Sequence, residues 1–203
     1  DELAYIVPLL EDEELDDLIG AIVDEVKLQV AMDSGSCANV VNPDDLPDTC
    51  EIIQAAAGPL PDIEMLQIDV PAPWSGGGAS YAIPAVLLEV ARHKTTLIFH
   101  NTRAQAEIFF HNLWLANETE LPIGIHHGSL SRDQRARVEE AMVRGQLRAI
   151  VCTGSLDLGI DWVDVDLVIQ VGAPKNVKRL VQRIGRANHR YNTPSKARLV
   201  PAN

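Results

Sequence analysis

The sequence predicts an α/β domain of three layers, in which helices flank a mainly parallel β-sheet. Short apolar runs alternate with segments of helical periodicity throughout residues 96–200. Within these runs apolar residues follow one another without polar alternation, which is typical of strands buried on both faces. Strands that alternate with helices form right-handed βαβ units, and such units place their strands in parallel.

Each element follows from a local pattern. A loose alternation predicts a strand at residues 65–70, and apolar runs predict strands at 96–100, 123–126, 149–152, 166–171 and 197–200. Apolar residues at helical spacing predict helices at about 13–30, 83–92, 102–113, 131–142 and 177–184. Pro84 suits the first turn of its helix, and the Thr102–Gln105 and Ser131–Gln134 spacings are those of capping boxes.

Charge is distributed unevenly along the chain. The net charge of −12 argues against a nucleic-acid partner, but residues 1–64 hold 17 acids and one base, which leaves +4 for the remainder. We therefore predict that residues 1–50 are an acidic N-terminal segment and linker, and that residues 51–203 form the folded domain. Within this segment, residues 11–48 are either a solvated acidic helix and linker or a partner-docking or autoinhibitory arm that mimics nucleic acid.

Several functional classes are disfavoured. No apolar run approaches the roughly 18 residues that a membrane-spanning helix needs, so we expect no membrane partner. The three cysteines share no C-x-x-C spacing, which disfavours structural zinc and a disulfide framework and fits a reducing cytosol. The glycines of loop 71–78 lack the spacing of a phosphate-binding loop, so we interpret this loop as a connector.

The predicted strands share one polar edge. Ligands of parallel sheets bind at the carboxyl ends of strands, which here are residues 100–103, 126–129, 153–155 and 172–175. All four loops are polar or contain glycine, so we expect one functional edge. Thr102 and Arg103 begin a helix, whose free N–H groups attract phosphate. Neighbours on a strand point to opposite faces, so His126 and His127 do not suggest a metal site.

A row of arginines lies at the end of the last predicted helix. Arg183 and Arg186 are three residues apart and Arg186 and Arg190 four, so they share a face for as long as the helix lasts. Guanidinium groups beside a turn rich in main-chain N–H groups suit phosphate oxygens.

These segments resemble the motifs of a known family. Residues 97–103, 153–161 and 182–190 are similar to motifs IV, V and VI of superfamily 2 helicases, and residues 126–130 resemble the His-x-Gly-Ser-Leu stretch between motifs IV and V. Together they resemble the Lhr-type, ligase-associated DExH-box DNA helicases, specifically their second RecA-like domain. The resemblance covers about residues 50–203 and implies a RecA-like fold.

The resemblance implies roles for individual residues. Those implied to bind nucleic acid are Thr102, Arg103, Gly128, Ser129, Thr153 and Ser155. Those implied to face the nucleotide are Gly159, Asp161 and Arg183, and those implied to act in catalysis are Gln182, Arg186 and Arg190. Asn188 replaces a glycine of the commoner motif and Arg190 stands one residue late, so either Arg186 or Arg190 is the arginine finger. The role of Asp157 stays open, because many DEAD-box relatives differ there.

The resemblance also implies partners. ATP with Mg²⁺ would be bound mainly by a first RecA-like domain, because the chain contains neither G-x-x-x-x-G-K-[ST] nor Asp-Glu-x-His. We therefore expect a fragment, inactive alone, of a cytoplasmic and nucleoid-associated helicase acting in DNA repair. Its substrate would be single-stranded DNA, with RNA possible. The alternatives are a non-catalytic nucleic-acid-binding module, an RNA helicase half and a nucleotide-sugar or dinucleotide domain.

Overall fold

The computed structural model describes residues 59–70, 73, 78–157, 165–188 and 193–202. The chain divides into two compact units, Asp1–Leu60 and Pro61–Asn203, and nearly all of the described residues belong to the second. The predicted helix at 13–30 and the predicted domain boundary near residue 50 lie outside the described residues. None of the helices in the described ranges is long and apolar enough to cross a membrane.

Six strands form one sheet in the order β1-β6-β5-β2-β4-β3, and every pairing between them is parallel. The strands are β1 Asp62–Met65, β2 Thr96–Phe99, β3 Ile123–His126, β4 Ala149–Cys152, β5 Leu167–Val171 and β6 Lys196–Val200. Every residue of β2, β4 and β5 is buried, as their continuous apolar runs predicted. The predicted α/β fold with a parallel sheet is confirmed.

Within the described residues four α-helices connect the strands: α1 Ile83–Arg92, α2 Arg103–Leu115, α3 Arg132–Val143 and α4 Val177–Ile184. Ser131 and Gln134 form the complete capping box that their spacing predicted. At α2 only half of the predicted box is present. Thr102 Oγ1 accepts the N–H of Gln105, but the Gln105 side chain contacts that same hydroxyl instead of the main-chain N–H of Thr102.

Helices cover both faces of the sheet, because successive side chains of each strand point to opposite sides. On one face α1 and α2 pack on Ile98, Val151 and Ile169. On the other face Met142 of α3 packs near Leu97, Phe99, Ile150 and Val168. Burial of an aliphatic side chain of this size contributes roughly 1.5–3 kcal/mol, so the three layers hold the strand ends rigidly.

The first strand was predicted at the wrong residues. Apolar and polar residues alternate loosely at 65–70, but the strand is Asp62–Met65, and Val70 is exposed. The reason is the pairing with β6, where Arg198 forms ion pairs of 3.2 Å with both Asp62 and Glu64. Acidic residues are compatible with an edge strand whose neighbour supplies an arginine, a pairing that local apolar periodicity does not reveal.

Candidate nucleic-acid and nucleotide interface

The loops after β2, β3 and β4 are neighbours at the carboxyl edge of the sheet. The sheet order places β4 between β2 and β3, so their loops emerge side by side. These loops carry all six residues that the sequence predicted to bind nucleic acid: Thr102, Arg103, Gly128, Ser129, Thr153 and Ser155. The structure therefore brings the six residues to one edge.

The loop after β2 delivers Thr102 to the N-cap of α2. The first main-chain N–H groups of a helix have no partner within the helix, and they form its positive end. Arg103 extends from this end, with its side chain 58% exposed and its Nε 3.3 Å from Glu107 Oε1. This combination of exposed cation and free N–H groups suits an anionic ligand.

The two adjacent histidines diverge, as predicted for neighbours on a strand. His126 places Nδ1 2.8 Å from Ser155 Oγ and Nε2 3.0 Å from Glu139 Oε1 of α3. His127 instead lies 3.3 Å from Glu107 Oε1 of α2, which packs on the opposite face of the sheet. Among the residues that the structure describes, no three His, Cys, Asp or Glu side chains are grouped to hold a metal ion.

Burial controls the chemistry of three groups at this edge. It lowers the pKa of His127, with Glu107 opposing the effect. It lowers the pKa of His100 to about 4, and the nearby Arg183 guanidinium contributes in the same direction. Burial also raises the pKa of the Cys152 thiol well above its ordinary value. The floor beneath the loops therefore combines neutral side chains with the buried ion pair of Arg183 and Asp157.

Gly128 is a glycine that the fold itself does not require. It is exposed, its φ lies outside the left-handed region, and an added Cβ would meet nothing within 4 Å. Ser129 beside it is also exposed. Local backbone geometry and packing therefore leave this position free for a larger side chain.

The loop after β4 is tied to β3. Thr153 donates its main-chain N–H to the His126 carbonyl oxygen at 3.3 Å, and Ser155 Oγ lies 3.2 Å from the same oxygen. A short 3-10 turn, Gly154–Leu156, follows Thr153. The Ser155 hydroxyl and the Thr153 main-chain N–H are therefore engaged within the domain, whereas the Thr153 hydroxyl makes no hydrogen bond to the described residues.

Asp157, whose role the sequence left open, joins this turn to α4. Its Oδ1 accepts the Nε–H of Arg183 at 2.8 Å, and its Oδ2 lies 3.1 Å from Arg179 Nε. Its carbonyl oxygen accepts a hydrogen bond from Nη2 of Arg186 at 3.0 Å. A carboxylate directly after the turn Gly154–Leu156, ahead of an arginine-rich segment, is the sequence signal that could have identified this hub.

Arg183 is buried, although its sequence position suggested a residue facing the nucleotide. Its guanidinium is 1% exposed, donates to Gln170 Oε1 at 2.8 Å and lies 4.7 Å from the centre of the Phe99 ring. Nη1 also lies 3.5 Å from Asn101 Oδ1. In this structure Arg183 connects strand ends, and its assignment to the nucleotide stays a prediction.

Arg183 and Arg186 do not share a helix face, so the expectation was wrong for this pair. Helix α4 ends at Ile184 with Gly185 as its C-cap, which places Arg186 beyond the helix. Arg186 is half-buried and its Nε has no hydrogen-bond partner among the described residues, whereas Gln182 on the last turn is exposed. Gly159, Asp161 and Arg190 lie outside the described residues.

Asn188 explains one departure from the commoner motif. Its φ of 52° lies in the left-handed region, where glycine is preferred and asparagine is the best-tolerated alternative. Its side-chain Nδ2 donates to the Pro194 carbonyl oxygen at 2.9 Å. The substitution therefore keeps the backbone conformation that a glycine provides.

Comparison with known proteins decides the family. Residues 80–191 match the model of the helicase conserved C-terminal domain. The chain belongs to this helicase family. The sequence identity is 50% over 109 residues with the ATP-dependent helicase Lhr-Core protein 2 of Thermococcus barophilus, covering 53% of this chain and 12% of that protein. It is 37% over 151 residues with the Lhr helicase/uracil glycosylase of Escherichia coli, covering 60% and 10%.

Solved helicase structures share the fold. The Mycobacterium smegmatis helicase Lhr, bound to ssDNA and AMP-PNP, superposes with a TM-score of 0.58 and 35% identity over 69% of this chain and 19% of that one. Domain 2 of the DEAD-box helicase Mss116p, bound to an RNA duplex, gives a TM-score of 0.54 at 19% identity, covering 68% and 53%. The expected resemblance to Lhr-type helicases and the RecA-like fold are confirmed. The matched part of this chain spans only 12% and 10% of the two curated relatives named here.

Proposed function

We propose that the whole protein is an ATP-dependent DNA helicase, in which this domain binds one DNA strand and completes an ATP site formed mainly by a first RecA-like domain. The observation that carries the proposal is the adjacency of the three loops after β2, β4 and β3, with Arg186 fixed to the middle one. The hydrogen bond from Arg186 to the loop after β4 would connect the surface that binds the DNA strand with the arginine that faces the nucleotide.

The strand-binding surface would contact the phosphate backbone. Arg103 supplies an exposed guanidinium at the N-terminus of α2, and exposed Gly128 leaves room for a close approach of the strand. Thr102, Ser129, Thr153 and Ser155 would add hydroxyl or main-chain donors around them. Backbone contacts of this kind position a protein on nucleic acid without reading its sequence.

The nucleotide side would be centred on Arg186. Its guanidinium would contact the γ-phosphate and stabilise the charge that develops during phosphoryl transfer. Arg190 is the other candidate for this finger, Gln182 would hydrogen-bond across the domain cleft, and Gly159 and Asp161 would face the nucleotide. ATP with Mg²⁺ would be held mainly by the first domain. ATP binding would close the two domains on each other, and hydrolysis would let them open.

We propose that this chain alone does not hydrolyse ATP, because the residues expected to hold the phosphates and Mg²⁺ belong to the first domain. The protein would be cytoplasmic, associated with the nucleoid and active in DNA repair. The M. smegmatis Lhr structure with ssDNA and AMP-PNP supports DNA and ATP as the ligands.

The test is ATP hydrolysis by the full-length protein in the presence of single-stranded DNA or RNA of equal length. We expect stimulation by DNA and strand separation on a DNA duplex with a single-stranded tail. Stimulation by RNA alone would indicate an RNA helicase instead. Nucleic-acid binding without any hydrolysis would indicate a non-catalytic module and contradict the proposal.

A further inference from the structure

Asp157 contacts three arginines through three different oxygen atoms. Its two carboxylate oxygens face Arg183 Nε at 2.8 Å and Arg179 Nε at 3.1 Å, and its carbonyl oxygen accepts from Arg186 Nη2 at 3.0 Å. The Asp157 side chain is only 6% exposed and that of Arg183 only 1%. A buried pair of this kind tolerates little movement, because losing either partner leaves an uncompensated charge.

The side chain and the carbonyl group of Asp157 act on different parts of the chain. Arg179 and Arg183 are four residues apart on α4, so the carboxylate holds one face of that helix. Arg186 follows the end of α4 and is held by the carbonyl oxygen. Fixing the carboxylate between two guanidinium groups therefore also fixes the carbonyl group that orients Arg186.

Gly154 provides an independent sign that the carboxylate has a defined place. Its φ is not in the left-handed region, so the backbone does not demand glycine there. An added Cβ would instead lie 3.1 Å from Asp157 Oδ2, a contact that is closer than side chains normally accept. The absence of a side chain at residue 154 therefore leaves the space that the Asp157 carboxylate occupies.

We infer that Asp157 is a positioning residue, which holds Arg186 in the orientation that ATP hydrolysis requires. The inference rests on the proposed function, in which Arg186 faces the γ-phosphate. Asp157 would not touch the nucleotide itself. Since a misplacement of about 1 Å costs on the order of 100-fold in rate, loss of its carboxylate pairing should lower kcat.

The experiment measures ATP hydrolysis by the full-length protein at saturating single-stranded DNA. Asp157→Asn preserves the size of the side chain and removes its charge. We expect kcat to fall by about tenfold or more, while KM for ATP changes by less than about threefold. A kcat equal to that of the unmodified protein would overturn the inference.

A matched control separates positioning from general stability. Asp166 also accepts two hydrogen bonds, from the main-chain N–H groups of Lys94 and Thr95, but it precedes β5 at the opposite edge of the sheet. Asp166→Asn should lower the melting temperature and leave kcat of the folded protein unchanged. If it lowers kcat as much as Asp157→Asn does, the effect of Asp157 is only structural.

A double variant tests whether Asp157 acts through Arg186. Effects of residues that act as one unit are not additive, so Asp157→Asn combined with Arg186→Ala should be no slower than Arg186→Ala alone. If Asp157→Asn lowers kcat by the same factor in the unmodified protein and in the Arg186→Ala variant, the inference is overturned.

A second variant keeps the test decisive if Asp157→Asn fails to fold. Gly154→Ala retains every charge, and relief of the 3.1 Å contact with Asp157 Oδ2 would shift the carboxylate by a few tenths of an ångström. We therefore expect a lower kcat with a nearly constant KM for ATP. Normal turnover by this variant would then overturn the inference. If Arg186→Ala abolishes turnover while Gly154→Ala and Asp157→Asn turn over normally, only the inference fails. If the unmodified protein shows no DNA-stimulated hydrolysis, the proposed function fails with it.

Discussion

Asn188 donates its side-chain Nδ2 to the Pro194 carbonyl oxygen at 2.9 Å while its own φ is 52°. The left-handed region costs a residue with an ordinary Cβ about 1–2 kcal/mol, and asparagine and glycine are the residues that tolerate it. The hydrogen bond adds a stabilising contact that a glycine at this position would not make.

We predict that Asn188→Ala destabilises the 203-residue chain by about 1–2 kcal/mol, because it loses the hydrogen bond and keeps the left-handed backbone. Asn188→Gly should change the free energy of unfolding by less than about 1 kcal/mol, since glycine adopts this conformation readily. Urea denaturation of the three proteins measures the difference. Equal stability of the Ala and Gly variants would show that φ at this residue is not under constraint.

Much of the fold follows from the sequence because its central strands are unusually regular. The continuous apolar runs of β2, β4 and β5 carry enough information to predict both burial and parallel pairing. The edge strand β1 does not, because Asp62 and Glu64 are accommodated by Arg198, which lies more than 130 residues later in the chain.

The candidate site is predicted less completely than the fold, for a related reason. Strand ends are local features, so the loops bearing Thr102, Gly128 and Thr153 follow from the pattern of strands. The burial of Arg183 depends on Asp157 and Gln170, which only the folded chain brings to it. Local spacing shows where arginines occur in the sequence, but it does not show which of them are buried in contacts within the domain.

The stability of the domain should decrease in mild acid. The pKa of His100 is lowered to about 4 by burial and by Arg183, so the unfolded state binds more protons than the folded state between about pH 4 and 6.5. The contribution of His100 to the free energy of unfolding is therefore complete above pH 6.5. It decreases as the pH falls, and roughly 3 kcal/mol of it is lost at pH 4. His127, whose pKa is also lowered, acts in the same direction.

His100→Gln should make the free energy of unfolding less dependent on pH in this range, whatever its effect at pH 7. His111→Gln is the matched control, because His111 is an exposed histidine on α2. Urea denaturation at several pH values between 4 and 7 gives the two slopes. An unaltered slope in His100→Gln would exclude this residue as the origin of the acid sensitivity.

Two glycines should separate strand binding from turnover. Neither Gly128 nor Gly185 is strained, and an added Cβ would meet nothing closer than 3.4 Å at either position. Alanine at both should therefore leave stability unchanged or raise it by about 0.4–1 kcal/mol. We predict that Gly128→Ala weakens single-stranded DNA binding, whereas Gly185→Ala slows ATP hydrolysis in the full-length protein with little change in DNA affinity.

Fluorescence anisotropy with a labelled oligonucleotide measures the first effect, and steady-state hydrolysis measures the second. Binding of the unmodified chain should be weak and salt-sensitive, with a slope of log K against log salt of roughly −0.7 per phosphate contact. If Gly128→Ala binds DNA normally, the strand does not approach this loop closely.

The acidic N-terminal segment should weaken DNA binding through its charge. Residues 1–64 carry 17 acids and one base, while the remainder of the chain has a net charge of +4. Deleting residues 1–48 should therefore strengthen single-stranded DNA binding at low salt, and the gain should disappear as salt screens it. Unchanged affinity at low ionic strength would mean that the segment does not act on the binding edge.

Arg186 is the residue on which the catalytic proposal depends. A charge-assisted contact that strengthens as the phosphoryl group leaves lowers the barrier more than it improves ground-state binding. Arginine fingers contribute about 10³–10⁵ in rate in related nucleotide hydrolases. Lysine retains the charge but loses the planar fork of donors, and with it the bond that holds Arg186 to the Asp157 carbonyl oxygen.

We therefore predict that Arg186→Lys in the full-length protein loses most of the DNA-stimulated ATP hydrolysis, while its affinity for single-stranded DNA changes little. Arg190→Ala is the comparison that the shifted motif requires. If Arg190→Ala alone is severely impaired, Arg190 is the finger and Arg186 has another role. Near-normal turnover of both variants at saturating ATP would contradict the proposal, because Arg186 would then serve only its contact with the Asp157 carbonyl oxygen.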